Sequence, residues 1–357
     1  MPHQTAKLPS PTPQPSTRSD RRKGYVSETL RTLDDTAATA YILIMGSTGT
    51  GKSTVGIVQY ADSWYLSTLQ FINLVSGSNL RVGTGLHSQT ATVELSKMFE
   101  HKSQRIVMVD TPGFDDTIES DTDVLITIAS YLAHLYREGI QIRGIAYMHR
   151  ITDNRMGGTA LRNFRMFEAI CGQSARQNAI IVLNMWDQVK KDIAEAREKE
   201  LRESDLFFKP AVTAGTRTMR HWDNRESAIP ILENLINQPS VALAIQREIV
   251  EERKAIHLTA AGLTLLGELA AKEANHVEEL RRIREEREEA RSRRDVDGEL
   301  ERDAEEAQKR LEDLRKKLVD EQRKLRNATT TSREVRVSRR RRAQSSSSCC
   351  NCCCCCC

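Results

Sequence analysis

Gly46-Ser47-Thr48-Gly49-Thr50-Gly51-Lys52-Ser53-Thr54 decides how this chain is read. The stretch fits G-x-x-x-x-G-K-[ST] and follows the apolar run Tyr41-Ile42-Leu43-Ile44-Met45. A strand, a glycine-rich turn and a helix start are the setting a phosphate-binding loop needs. Glycines permit positive φ, and successive backbone N–H groups can then close around an anion. The first turn of the following helix adds partial positive charge. In such a loop Gly46, Ser47, Thr48, Gly49, Thr50, Gly51 and Thr54 frame the phosphates. Lys52 reaches the β- and γ-phosphates, and Ser53 ligates Mg²⁺. A Gly/Ser/Thr-rich surface turn is the plain alternative, and the match at every fixed position after a strand argues against it.

Outward from the loop, strand-like apolar runs recur at residues 41–45, 105–109, 142–148 and 179–183. Helical patterns lie between them, around 123–138 and 160–171, and residues 227–237 read as a last helix. Strands alternating with helices predict an α/β fold with a mostly parallel sheet. Continuously apolar strands predict burial on both faces. Residues 39–240 are expected to form this one domain, roughly 200 residues long. Residues 1–38, rich in Pro, Ser, Thr and Arg, are expected to be disordered. Residues 241–328 read as a helical extension. Its segment 256–271 is apolar with small residues, suited to packing back on the core or meeting a partner or a membrane surface. Residues 278–294 are nearly all Glu and Arg, a solvated helix with i,i+4 ion pairs. Ala304, Leu311, Leu318 and Leu325 then fall seven apart, with Leu300, Ala307 and Leu314 between them. This spacing predicts a short coiled coil. A solvated single helix is the alternative, and Glu321 and Gly298 weaken the seam.

Two further motifs sit at the ends of strand-like runs. Val109-Asp110-Thr111-Pro112-Gly113 places an Asp at a strand end with Gly three residues on. There Asp110 can hold Mg²⁺ through water while the Gly113 N–H meets a γ-phosphate. Asn184-Met185-Trp186-Asp187 follows the run 179–183. A carboxylate at Asp187 can accept both N1–H and the 2-amino group of guanine, donors that adenine lacks, so it would select GTP over ATP. Met185 stands where the usual N/T-K-x-D signature has lysine. Between the phosphate-binding loop and the Asp110 motif, Thr84, Ser88, Thr90 and Thr92 offer hydroxyls, and Thr90 is the candidate to complete the Mg²⁺ shell and order a switch segment. After Gly113 stands Phe114, where many GTPases have a glutamine that orients water. Hydrolysis unaided should therefore be slow. His149, Arg150 and Arg155 are candidates to help from a second subunit, with structural ion pairs as the alternative role.

Together, residues 46–54, Phe71-Ile72-Asn73-Leu74-Val75-Ser76-Gly77-Ser78, Ser88-Gln89-Thr90, residues 110–116 and residues 149–158 resemble the AIG-type (avirulence-induced gene) GTPases. Within that septin-like group the likeness is greatest to fungal G-domain proteins, over about residues 39–265. The resemblance implies a P-loop NTPase of the Ras-like G-domain type, GTP/GDP and Mg²⁺ as ligands, and a homodimer across the nucleotide face. It places the family's threonine on Thr90 and its guanine-selecting aspartate on Asp187. Gly215 is the candidate for its fifth guanine-loop element. One departure stands out. Sixteen residues, 55–70, separate Thr54 from Phe71, where the family joins loop and helix directly. A genuine insertion and a retained intron that keeps the reading frame both fit.

Composition bounds the rest. The chain has 357 residues and a formal net charge of +4, with basic residues concentrated near both ends. No apolar run is long enough for a transmembrane helix, and the N-terminus lacks a signal-peptide core. Cys171 lies in the body, and the other eight cysteines crowd the last nine residues. That is no disulfide framework, and a cytoplasmic setting is expected. The tail, residues 329–357, is basic and Ser/Cys-rich and is expected to be disordered. Arg333, Arg336 and the arginines of 339–342 beside acylatable cysteines suit peripheral membrane attachment. A repeat with no role, or adventitious metal binding, are the alternatives. No nucleic-acid module accompanies the basic charge, so none is expected as a partner. The expectation is a GTP-binding switch with slow or dimer-stimulated hydrolysis, in which Lys52, Thr90 and Gly113 act on the γ-phosphate. The alternative is a GTP-binding scaffold with negligible turnover, assembling through its G face and coiled coil.

Overall fold

The computed structural model describes residues 39–46, 71–78, 93–114, 119–153, 157–292 and 299–328. In chain order the strands are β1 (Thr39–Gly46), β2 (Glu94–Leu95), β3 (Phe99–His101), β4 (Gln104–Asp110), β5 (Ile142–Arg150), β6 (Ala179–Asn184) and β7 (Arg217–Arg220). The helices are α1 (described over 71–76), α2 (Asp121–Arg137), α3 (Gly158–Cys171), α4 (Lys191–Glu203), α5 (Lys209–Thr213), α6 (Arg225–Ile236), α7 (Ala244–Val250), α8 (Ala260–Ser292) and α9 (Glu299–Arg326).

The sheet runs β2–β4–β1–β5–β6–β7, with β3 also on β4. From β4 to β7 the pairing is parallel, and β2 and β3 lie antiparallel to β4 at one edge. This is the expected α/β architecture, a mostly parallel sheet with helices on both faces. β2 and β3 are one edge strand in two pieces. Ser96, between them, donates its N–H to the Met108 carbonyl at 2.9 Å and accepts the Met108 N–H on its hydroxyl at 2.9 Å.

Alternate side chains of a strand leave on opposite faces, and the central strands are apolar on both. Tyr41, Leu43, Val107, Val109, Ile145, Tyr147, Ile181 and Leu183 enter one cluster. Ile42, Ile44, Ile106, Met108, Ala146, Met148, Ile180 and Val182 enter the other. The second cluster is closed by Phe71, Ile72 and Val75 of α1 and by Ile231, Leu232 and Leu235 of α6. α6 comes so close to β5 that a Cβ on Gly144 would lie 2.7 Å from Leu235 Cβ. The first cluster is closed by α2 and α3, through Val124, Leu125, Ile128, Phe164 and Phe167. Ser120 caps α2 by accepting the Asp123 N–H at 3.2 Å, and Asn224 caps α6 by accepting the Ser227 N–H at 2.9 Å.

The core does not stop at residue 240. Leu243, Ile245, Ile249, Ile256, Ala261, Leu265 and Leu269 all belong to the first cluster. Gln246 reaches from α7 to donate to the Leu132 carbonyl at 3.0 Å. The apolar segment 256–271 thus packs back on the core, although Leu258 and Leu263 on its other side are exposed.

The α9 helix that carries the leucine seam packs against α8 of the same chain. α8 and α9 form an antiparallel hairpin within the chain. Arg315 pairs with Glu273 at 3.4 Å, Arg284 with Glu312 at 3.4 Å, and Arg287 donates to Gln308 at 2.8 Å. Leu311 and Leu325 are buried and Leu318 is half-buried, while Leu314 of the alternate position is exposed. Leu325 reaches the main core, and Lys324 next to it pairs with Asp123 in the first turn of α2. Among the described residues no helix is long and apolar enough to cross a membrane.

Candidate functional site

The parallel register brings the motif residues to one edge. Ile44 is opposite Asp110, Gly46 opposite Met148, Arg150 opposite Asn184, and Leu183 opposite Arg220. Gly46, Asp110 and Asn184 therefore close adjacent or near-adjacent strands at their carboxyl ends. That edge is where open α/β sheets bind ligands. Ser47, Thr48, Gly49, Thr50, Gly51, Lys52, Ser53, Thr54 and Thr90 lie outside the described residues, as do Arg155, the segment 55–70 and both termini.

Asp110 is 2% exposed, and its Oδ2 has no hydrogen-bond partner among the described residues. Burial, then the charge of Glu94, holds its carboxyl well above the usual carboxylate range. An ionised carboxylate so enclosed needs a counter-charge. The donor set fits a hydrated divalent cation in that role. Thr111 next to it ties the loop to β1, donating its N–H and its hydroxyl to the Ile44 carbonyl at 3.3 and 2.9 Å. Phe114 is buried in the main core, and Asn163 of α3 donates to its carbonyl at 3.4 Å. The loop is thus pinned on both sides of Gly113, which stays half-buried between two anchors.

At the end of β6 Asn184 is fully buried, and its carbonyl accepts the Ile151 N–H at 3.1 Å. Met185 takes the left-handed conformation, φ 61°, and buries its side chain. The turn Trp186–Gln188 then leaves Asp187 exposed. Trp186 is buried beneath the Arg220 guanidinium, 4.2 Å above its ring. Arg220 is held in turn by two bonds to Glu198, at 2.9 and 2.5 Å.

The loop after β7 joins this edge, a contribution the motifs did not reveal. His221 donates its N–H to the Leu183 carbonyl at 2.8 Å. Its ring is fully buried edge-on to Phe71, and burial lowers its pKa to about 4, so it is neutral. The 3.5 Å approach of its Nε2 to Asp223 is therefore not an ion pair at neutral pH. Asp223 adopts φ 50°, and burial together with Asp187 raises its pKa to about 6. The loop therefore lies near Asp187. No signal in the sequence marked it, because β7 offers only four half-buried residues and no apolar run.

Two expectations are corrected here. Gly215 precedes β7, at the opposite edge of the sheet, so it cannot reach a ligand held by Asp110 and Asp187. His149 is buried edge-on to Phe208 at 5.2 Å, with its pKa lowered to about 4 by burial and then by Arg150. It is closed off from any partner. Arg150 is engaged with Asp153 at 3.1 Å.

No family model matches the chain, and no curated protein matches it. Solved structures resemble it at low identity. One is Toc33 from Arabidopsis thaliana in complex with Mg²⁺ and GMPPNP, at 15% identity and TM-score 0.39, covering 64% of this chain and 98% of that one. The same protein with GDP and Mg²⁺ gives 14% and 0.38, covering 63% and 95%. Translation elongation factor SelB from Methanococcus maripaludis with a GTP analogue gives 11% and 0.34, covering 57% and 35%.

Proposed function

We propose that the chain is a guanine-nucleotide-binding switch protein with slow or dimer-stimulated GTP hydrolysis. One observation carries the reading. The buried carboxylate of Asp110, whose Oδ2 has no hydrogen-bond partner among the described residues, shares a sheet edge with Gly46 and Asn184, and Asp187 is exposed just beyond. In this reading Lys52 neutralises the β- and γ-phosphates, and the Gly113 N–H meets the γ-phosphate. Ser53, Thr90 and Asp110 would hold Mg²⁺, which when bound supplies positive charge to the phosphates. Asp187 accepts the guanine N1–H and 2-amino group, and Asn184 braces the turn that carries it.

Phe114 favours low intrinsic turnover, because its side chain is committed to the core and orients no water. A second copy docked across the nucleotide face would supply the missing group. The same observation supports a second reading, a GTP-binding scaffold with negligible turnover. Phosphate release measured against protein concentration separates them. A rate per molecule that rises with concentration is expected. Tight GTP retention without phosphate release would instead favour the scaffold. Lys52→Ala should abolish guanine-nucleotide binding, and retained affinity in that variant would overturn both readings.

A further inference from the structure

The residue of this edge with no structural task large enough to explain it is Trp222. It leaves 42% of its surface exposed, on a loop that is otherwise tightly held. Its own N–H donates to Ser227 Oγ at 3.0 Å, and that hydroxyl also meets His221 Nδ1 at 2.8 Å. Asn224 accepts the Ser227 N–H and fixes the loop to the start of α6. Arg225 donates to the Leu74 carbonyl at 2.6 Å, tying the same segment to α1, the helix that follows the phosphate-binding loop in the chain. Asp223 takes the left-handed region at φ 50°, a turn conformation that a short Asp side chain tolerates.

The Trp222 ring lies 5.8 Å from that of Trp186, tilted by 49°. Trp186 belongs to the Asn184–Asp187 turn, and it is already covered by Arg220. Covering Trp186 therefore does not account for a second indole. A large aromatic held rigid and half exposed beside a base-reading carboxylate is the composition of a recognition surface. Aromatic faces accept purine rings by stacking, whatever the substituents on the base edge.

We infer that Trp222 is the aromatic wall of the purine pocket, so that Asp187 reads the edge of the base and Trp222 holds its ring. This rests on the guanine-nucleotide reading above. The division of labour makes a specific expectation. Loss of Trp222 should weaken purine nucleotides alike, while the preference for guanine, set by Asp187, stays.

The experiment uses the full chain, with GDP and inosine diphosphate as probes, titrated by calorimetry. Inosine diphosphate lacks the 2-amino group and so reports the ring without that contact. Trp222→Leu should lower affinity for both about tenfold and leave their ratio unchanged, as removal of a base–aromatic stack does. Trp222→Phe should restore most of the affinity. Tryptophan fluorescence should change on GDP addition in the wild type, and that change should shrink in Trp222→Phe although binding persists, the remainder coming from Trp186 beside Asp187. Affinities within twofold of wild type in Trp222→Leu would overturn the inference. So would a fall in affinity that tracks a fall in thermal midpoint without rescue by Phe. Wild-type protein that binds neither nucleotide would overturn the guanine reading itself, a different and distinguishable result.

Discussion

At the residue scale the informative groups are those the fold holds against their own preference. Asp110 is the strongest case: a fully enclosed carboxyl whose Oδ2 meets no donor among the described residues. Burying a polar group without a partner is destabilising by about 1–3 kcal/mol on mutational scales. Asp110→Asn removes the charge and keeps the shape. The amide is still polar but carries no charge to desolvate, so the variant is expected to raise the stability of the nucleotide-free protein while weakening Mg²⁺-dependent nucleotide binding. The sign with pH follows from the raised pKa. A carboxyl whose pKa rises on folding favours the folded state below the ordinary carboxylate range and loses that contribution as pH climbs towards the folded value. The gain from Asn should therefore be smallest in acid and grow as pH rises. Denaturant unfolding of both proteins across pH, without nucleotide, measures it, and a variant less stable than wild type at neutral pH would sink the account. The places of Asp110, Asn184 and Asp187 at or just past strand ends were legible in the sequence because an apolar run precedes each. Trp222 and Asp223 were not, because no motif surrounds them and only the register of β7 against β6 brings them to the site.

At the scale of elements, what was legible was what is buried on both sides. β1, β4, β5 and β6 stand out because neither face meets water, so their apolar runs are unbroken. β2, β3 and β7 do not, because they are edge pieces of two, three and four residues. β7 has only Met219 to offer among two arginines and a threonine. α4 hides for a similar reason, since Ala194, Glu198 and Leu201 are its buried residues within an otherwise charged stretch. The seam of α9 was visible but its partner was not. A seven-residue repeat is the same whether the opposing helix belongs to another chain or, as here, to α8. The contact of α6 on β5 shows how closely such elements are matched. Gly144 meets Leu235 with no room for a methyl group, since backbone as well as side chain would be crowded. Gly144→Ala is expected to destabilise the protein by about 1–3 kcal/mol through overpacking. Chemical denaturation should show the loss as a lower midpoint with an unchanged slope, and an unchanged midpoint would mean that α6 shifts freely.

At the scale of the whole molecule, the expected division at residue 240 separates segments that the packing joins. Val241 bridges to Ile142 through two hydrogen bonds of 3.2 and 2.7 Å, extending the sheet region beyond that point. Seven apolar residues between Leu243 and Leu269 then fill the cluster on the α2–α3 face. At about 1.5 kcal/mol or more for each larger side chain, their burial is worth on the order of 10 kcal/mol. That is comparable with the entire net stability of an ordinary domain. The hairpin adds a second attachment. Arg162 of α3 joins Asp121 of α2 at 3.0 Å to Glu268 of α8 at 3.4 Å, and Lys324 of α9 pairs with Asp123. Among the described residues Leu325 is the one α9 side chain fully enclosed in the main core. The two segments should therefore respond differently to removal. A chain cut after residue 240 is expected to lose cooperative unfolding and to bind apolar dyes, because the α2–α3 face is left open. A chain cut after residue 292 keeps α7 and α8 and loses α9, so it should still unfold cooperatively, with a lower thermal midpoint. Calorimetry on both shortened chains decides this. A sharp transition in the first would show that the α/β body closes without its C-terminal segment, and absence of one in the second would make the whole hairpin part of the core.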